Sequence, residues 1–287
     1  MRTLASLLLA LLLPQTALGA ESPRTLTALT YVTYVAGLTV MTMAADVELR
    51  GDSYRVDLAS RTAGAYGVMF RGETRSSALG SFVSGGQAGG LVAPLRYAVA
   101  GHWRGTARHT LMDYANGVPS VLRMQPPNES EREQIAPALQ RETVDTISAA
   151  ALLMRRVTDS GRCEGEARTF DGRRLSQVGV RSAGWETLPR DDRSSFAGPA
   201  LRCDFEGQLL AGFMLDSDRA AAARTQKGSA WLARPIEGAP MLPVRLRFEA
   251  RWIGSATMYL TSATSNAAPL VRTRADAENG AAPIRLP

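Results

Sequence analysis

Val244-Arg245-Leu246-Arg247-Phe248-Glu249-Ala250-Arg251-Trp252 decides the fold class. Val244, Leu246, Phe248, Ala250 and Trp252 fall on one face of an extended chain; Arg245, Arg247, Glu249 and Arg251 fall on the other. Side chains alternate across a strand with period two, so this stretch reads as a strand with one dry and one wet face. The pattern recurs upstream. In 53–61, Tyr54, Val56 and Leu58 oppose Arg55, Asp57 and Arg61. In 41–50, Met41, Met43, Ala45, Val47 and Leu49 alternate with Asp46, Glu48 and Arg50. Gly51-Asp52 between these two runs reads as a hairpin turn, and Asn116-Gly117, Asp171-Gly172 and Gly254-Ser255 as further turns. Successive hairpins make a long antiparallel meander that is dry on one side. The expected fold is mainly β: a single curled antiparallel sheet, an open barrel or β-spiral, with one helix packed on its concave side.

That helix is expected over Thr146–Val157, capped by Asp145, with Ile147, Ala150, Ala151 and Met154 as its apolar stripe and Arg155-Arg156 near its negative end. A weaker helix, interrupted by Pro137, is read in Ser130–Arg141. Gly85 to Gly90 reads as a loop; it lacks the strand, helix and Lys or Ser/Thr that a phosphate cradle requires. Residues 25–262 read as one β-rich domain and 263–287 as a disordered tail.

The first residues carry an address. Met1-Arg2 is followed by an apolar run from Leu4 to Leu13, a break at Pro14, and small residues through Ala17-Leu18-Gly19. This is the layout of a signal peptide spanning 1–19, cleaved near Gly19 or Ala20, and its core is too short for a permanent membrane span. Periplasmic export is the expectation. The formal charge is +6, and Lys227 is the single lysine, so the basic side is arginine. Arginine richness reads first as the mark of a GC-rich genome and second as affinity for the phosphates of anionic lipid head groups. No basic block is present, which argues against nucleic acid as a partner. In an oxidising compartment the two cysteines, Cys163 and Cys203, are expected to form a disulfide, two buried free thiols being the alternative.

Motifs for chemistry are sparse. His102 and His109 lie seven apart, an odd spacing that separates their faces if one strand carries both, and no metal-ligand spacing surrounds them. No G-x-S-x-G elbow or cysteine-protease signature is present. The carboxylate pairs Glu131/Glu133, Glu164/Glu166 and Asp191-Asp192 read as solvated faces. No cofactor, metal site or catalytic residue is assigned. The methionines are numerous, soft and adaptable, and those on a curled sheet's inner face suit a flexible chain.

The ordered set Tyr31–Val35 with Gly37-Leu38, Tyr54-Arg55-Val56, Pro94-Leu95-Arg96-Tyr97, Asp145-Thr146-Ile147-Ser148-Ala149, Cys163, Phe170-Asp171-Gly172-Arg173-Arg174, Gly198-Pro199-Ala200-Leu201-Arg202-Cys203, Trp231-Leu232-Ala233 and Leu242-Pro243-Val244-Arg245 resembles the bacterial envelope family called domain of unknown function 3108, over 28–262. The resemblance implies an exported β-rich protein without an assigned activity, and carries over no catalytic residue. Three functions are expected to compete. The first is a non-catalytic envelope protein holding a lipid, an acyl chain or a lipidated partner in an apolar groove walled by Met41, Met43, Val56, Leu58, Phe248 and Trp252. The second is a hydrolase of an envelope polymer using carboxylates among Glu164, Glu166, Asp113 and Asp145. The third is a structural protein docking another envelope protein through a strand edge.

Overall fold

The first and last strands of the chain lie side by side in the middle of one sheet. The computed structural model describes residues 26–83, 91–250 and 254–266. One arm of the sheet comprises β1 Leu26–Val35, β2 Leu38–Arg50, β3 Ser53–Thr62, β4 Gly72–Val83, β5 Leu91–Trp103, β6 Thr106–Ala115 and β7 Val118–Gln125. The other comprises β8 Gly165–Phe170, β9 Leu175–Leu188, β10 Gly198–Ala211, β11 Gln226–Ala233, β12 Leu242–Ala250 and β13 Gly254–Asn266. Every pairing is antiparallel and the order runs β7-β6-β5-β4-β3-β2-β1-β13-β12-β11-β10-β9-β8. The edges, β7 and β8, are therefore neighbours in the chain. The connection between them, 126–164, carries the strap and the long helix that bridge the two edges. Strand twist and register shifts, such as those at Thr33/Tyr34, Leu79/Gly80 and Arg202/Cys203, supply the curvature. The sheet curls without closing into a hydrogen-bonded barrel.

The hairpin turns sort into two ends. Gly51-Asp52, Asn116-Gly117 and segments 189–197 and 234–241 lie at one; Ala36-Gly37, Arg104-Gly105, 171–174 and 212–225 lie at the other. The first end is plugged by the one long helix, α3. The helices are α1 Gly64–Met69, α2 Pro137–Gln140, α3 Thr146–Ser160 and α4 Arg219–Ala222. Asp145 caps α3 as its sequence requires, accepting a bond from the Ser148 backbone N–H (2.8 Å). The Ser148 hydroxyl donates to the same carboxylate (2.5 Å) and accepts from the Tyr54 hydroxyl (2.6 Å). The helix thus begins against β3. It then runs beneath the β2–β3 turn, where Arg155 donates to the Gly51 carbonyl (2.8 Å). Near its end, Thr158 accepts from the Met241 N–H (2.8 Å). Ile147, Ser148, Ala151, Met154 and Val157 face the core. The stripe differs from expectation at one position. Ala150 is exposed and Ser148 is buried, because the cap turns the Tyr54 side of the helix inward.

The disulfide Cys163–Cys203 pins the chain just after α3 to β10, with Cα atoms 6.0 Å apart. The seam between β7 and β8 is bridged by other means. Ser130–Arg141 is not a helix; it contains part of the 3-10 turn Asn128–Ser130 and the single turn α2, and serves as a strap. Arg108 on β6 donates twice to Glu131 (2.9 and 2.7 Å). From the other arm, Arg173 donates to Glu131 (3.4 Å) and to the Pro126 carbonyl (2.8 Å). Arg132 reaches the Gly212 carbonyl (2.8 Å). Val144 exchanges backbone bonds with Arg168 and Phe170, covering the edge of β8. The β8–β9 turn fits tightly: a Cβ on Gly172 (φ +88) would lie 2.8 Å from Thr110 and 3.1 Å from Met124.

Two further expectations change. Gly254 and Ser255 are not a turn but open β13, opposite Ala250 and Glu249. Residues 263–266, expected in the tail, belong to β13, where Asn266 pairs with Leu26, and 267–287 lie outside the described residues. The Gly-rich stretch 85–90 and Trp252 lie outside the described residues.

Two outcomes follow. Reducing the disulfide, or replacing Cys203 with Ala, is expected to lower stability by about 4 kcal/mol on the loop-closure model for its separation of 40 residues, read as a lower urea midpoint. Glu131 lies below its ordinary carboxyl value because Arg108 donates to its ionised form. The folded state therefore binds fewer protons there than the unfolded state. The resulting stabilisation is present above the ordinary value and is lost as pH falls through the lowered one. Glu131→Gln is expected to lose about 1–2 kcal/mol at neutral pH, with its difference from wild type closing as pH falls through the lowered value.

Candidate functional site

Register and burial together locate the inner face. On β10, Leu201 and Cys203 are core residues and Arg202 and Asp204 face outward. On β2 the odd positions face inward, opposite Tyr54, Val56, Leu58 and Ser60 of β3. Along this inner face burial changes from one end to the other. At the plugged end Val47, Tyr54, Val56, Leu201, Leu242 and Val244 are buried together with α3 in one cluster. Toward the other end, which we term the rim, the inner residues Met41, Met43, Leu58, Val99, Leu246 and Phe248 are only half-buried. β1 and β13 are the exception, since Thr33, Val35, Ala256 and Met258 remain buried to the rim. The inner wall toward the rim is therefore mixed: these apolar side chains are incompletely covered, and Ser60, Thr74, Ser76, Thr110 and Arg108 share their face. Its buried hydroxyl, Thr33 Oγ1, has no hydrogen-bond partner.

The residues expected to wall a groove divide accordingly. Met41, Met43, Leu58 and Phe248 lie on the partly exposed wall. Val56 does not: at 3% exposure it sits in the packed cluster beneath, where α3 fills the curl. That placement corrects the expectation for Val56, and its cause is the depth to which the plug reaches. Burial pushes the hydroxyls of Tyr54, Tyr97 and Tyr114 in this layer to higher pKa, and raises Asp145 against the opposing bonds from Ser148.

A second concavity, a cleft of about 600 Å³, lies on the outer face of β8–β12 and is lined largely by charged side chains. Its floor is an ordered network. Trp231 Nε1 (2.6 Å) and Arg202 (3.1 Å) both donate to Glu186 and hold that carboxyl below its ordinary range. Arg202 and Ser229 also donate to Asp204 (2.8 and 2.6 Å). Cations Arg181, Lys227 and Arg247 stand against Glu166, Glu206 and Glu249 around the wall, so the lining carries both signs in balance.

The carboxylates singled out for hydrolysis do not converge. Glu164 pairs with Arg162 on the surface, Glu166 accepts from Gln177, Asp113 pairs with Arg96, and Asp145 is the buried helix cap. The histidines occupy two strands, not one, because Arg104-Gly105 turns the chain between them. His102 opposes Ala107 and His109 opposes Ala100, which puts both on the same face, contrary to the odd-spacing argument. Among the described residues no group of three or more His, Cys, Asp or Glu is placed to hold a metal. No described helix is long and apolar enough to cross a membrane.

A curled antiparallel sheet around a helical plug, with its edge strands strapped rather than paired, defines a β-barrel-like protein. The chain matches the model of the family described as protein of unknown function (DUF3108) over residues 30–261, and it belongs to that family. No functionally curated protein matches it. Among solved structures it is similar to the crystal structure of a β-barrel-like protein of the domain of unknown function DUF1849 from Brucella abortus. The identity is 10%, the match covers 85% of this chain and 98% of that one, and the TM-score is 0.45.

The cap predicts its own test. Asp145→Ala leaves the Ser148 N–H and hydroxyl without their acceptor inside the core and is expected to cost about 2–4 kcal/mol, measured by chemical denaturation.

Proposed function

We propose that this chain is an exported, non-catalytic envelope protein of the periplasm that holds an acyl chain, as free lipid or as the lipidated end of a partner, against the inner wall toward the rim. The observation that carries this reading is the change along one face. The same strands that are fully packed around α3 carry the partly exposed Met41, Met43, Leu58, Leu246 and Phe248 farther along, Met43, Leu58 and Leu246 still resting on the buried cluster. Apolar side chains that stay partly exposed are stabilised by anything that removes them from water. Methionines adapt to a flexible occupant. Seating about ten methylenes contributes roughly 8 kcal/mol before the costs of association. The signal-peptide pattern of residues 1–19 and the disulfide support export to an oxidising compartment.

Protein purified from the envelope is expected to yield lipid on organic extraction and mass spectrometry, and to take up a fluorescent fatty acid. Met41→Glu with Met43→Glu is expected to weaken that uptake at least tenfold with little change in melting temperature. An empty extract together with no uptake of the probe would remove the proposal.

A further inference from the structure

The most exposed large apolar residues of the described chain are Val68 (87%), Met69 (74%), Leu38 (67%) and Leu215 (62%). They come from distant parts of the sequence, yet all four lie at the rim. Val68 and Met69 end α1, the short helix between β3 and β4. Leu38 opens β2, against which α1 packs. Leu215 follows β10, its N–H bonded to the Glu131 carbonyl of the strap. Around α1 the apolar surface continues through aromatic rings. Tyr66 and Phe70 have ring centroids 4.9 Å apart, and the half-exposed Trp103 packs over Gly72, where a Cβ would lie 2.5 Å from its ring. The Arg104 guanidinium lies 4.6 Å from the Phe70 centroid and 5.9 Å from that of Trp103. Arg71 and Arg104 are exposed, and neither has an ion-pair partner among the described residues.

We infer that the rim is a membrane-docking surface. Val68 and Met69 enter the interfacial region of an anionic phospholipid bilayer, Tyr66 and Trp103 lie at the level of the head groups, and Arg71 and Arg104 meet lipid phosphates. Three features favour a bilayer over a protein partner. Val68 and Met69 are almost fully exposed at the end of a six-residue helix and are not held in a groove. Aromatic rings with one polar end and one apolar end suit a membrane–water boundary. The free charges beside the tip are arginines, which pair with phosphate bidentately, in a chain of net charge +6. Docking here also turns the half-buried inner wall toward the membrane. The inference extends the acyl-binding reading but does not require it, since the crown would hold a bilayer whether or not the wall takes a chain.

The test is co-sedimentation of the full chain with phosphatidylcholine vesicles with and without phosphatidylglycerol. Binding to the anionic vesicles is expected to fall with added salt. Arg71→Glu with Arg104→Glu is expected to weaken it more than tenfold, each arginine near an anionic surface contributing about fivefold. Val68→Asp with Met69→Asp is expected to abolish binding while melting temperature and fatty-acid uptake stay at wild-type levels, which separates this surface from the inner wall. An environment-sensitive fluorophore on Val68→Cys is expected to shift to the blue on adding anionic vesicles, and this readout does not depend on the acidic variants folding. Absence of vesicle binding by the wild type, equal binding by both double variants, or a self-association lost in Val68→Asp with Met69→Asp without vesicle binding would each overturn the inference.

Discussion

The structure depends on the buried contact between Asp145, Ser148 and Tyr54. A single-layer sheet has a dry face and no second sheet to cover it. Curling brings that face onto itself, but a curl wide enough for this many strands leaves a space that their own side chains do not fill. One helix fills it at one end. Because α3 enters from the seam, its first turn must be fixed against the opposite wall. The Tyr54 hydroxyl reaching Ser148, and Ser148 reaching Asp145, is the polar connection that fixes it. Such a group of buried polar atoms is costly if any member is lost and specific while all are present. The disulfide at the far end of the helix and the arginine–carboxylate strap across the seam act on the same problem from outside the core.

Covering one end and not the other gives the molecule a direction. At the plugged end, apolar side chains from β2, β3, β10 and β12 are spent on one another and on α3. Toward the rim the strands continue, still alternating, and among the described residues no element of comparable size lies against them. The outer cleft is the opposite kind of surface. Its Arg202, Glu186, Asp204, Ser229 and Trp231 are already bonded to one another. A ligand there has to compete with satisfied partners.

The strands were legible because alternation is a local signal. Leu246 and Phe248 against Arg245 and Arg247 need no knowledge of the fold. The cap at Asp145 was legible for the same reason. The turns were readable only where their chemistry was ordinary. Asn116-Gly117 carries the residues that a two-residue hairpin with positive φ favours. Arg104-Gly105 and Ala36-Gly37 adopt the same geometry, with φ of 50° at Arg104 and 48° at Ala36, but their first residues do not announce it. Missing the turn at Arg104 merged two strands and put His102 and His109 on the wrong faces. The strap was misread as helix because its Glu and Gln are good helix formers. Their partners, Arg108 and Arg173, are distant in sequence, so the tertiary ion pairs that decide its path leave no local trace. The depth of the plug was equally hidden, which is why Val56 belongs to the core and Met43 to the partly exposed wall.

The rim crown escaped notice for a further reason. Tyr66-Gly67-Val68-Met69-Phe70 is an apolar run between two alternating strands, and a run of that kind ordinarily signals burial. Among the described residues nothing buries it, because α1 is too short to fold back and its neighbours in the sheet are occupied with the inner face. If exposure of Val68 and Met69 served folding alone, polar residues would do better, since an apolar tip adds an aggregation hazard and no packing. If it were incidental, exposed apolar side chains would reach similar exposure at both ends. Instead the two most exposed, Val68 (87%) and Met69 (74%), lie at the rim, while Trp185, Leu95 and Leu91 toward the plugged end stay below 60%. Two separate departures from ordinary surface composition at one pole of the molecule are accounted for together by an apolar medium lying against that pole.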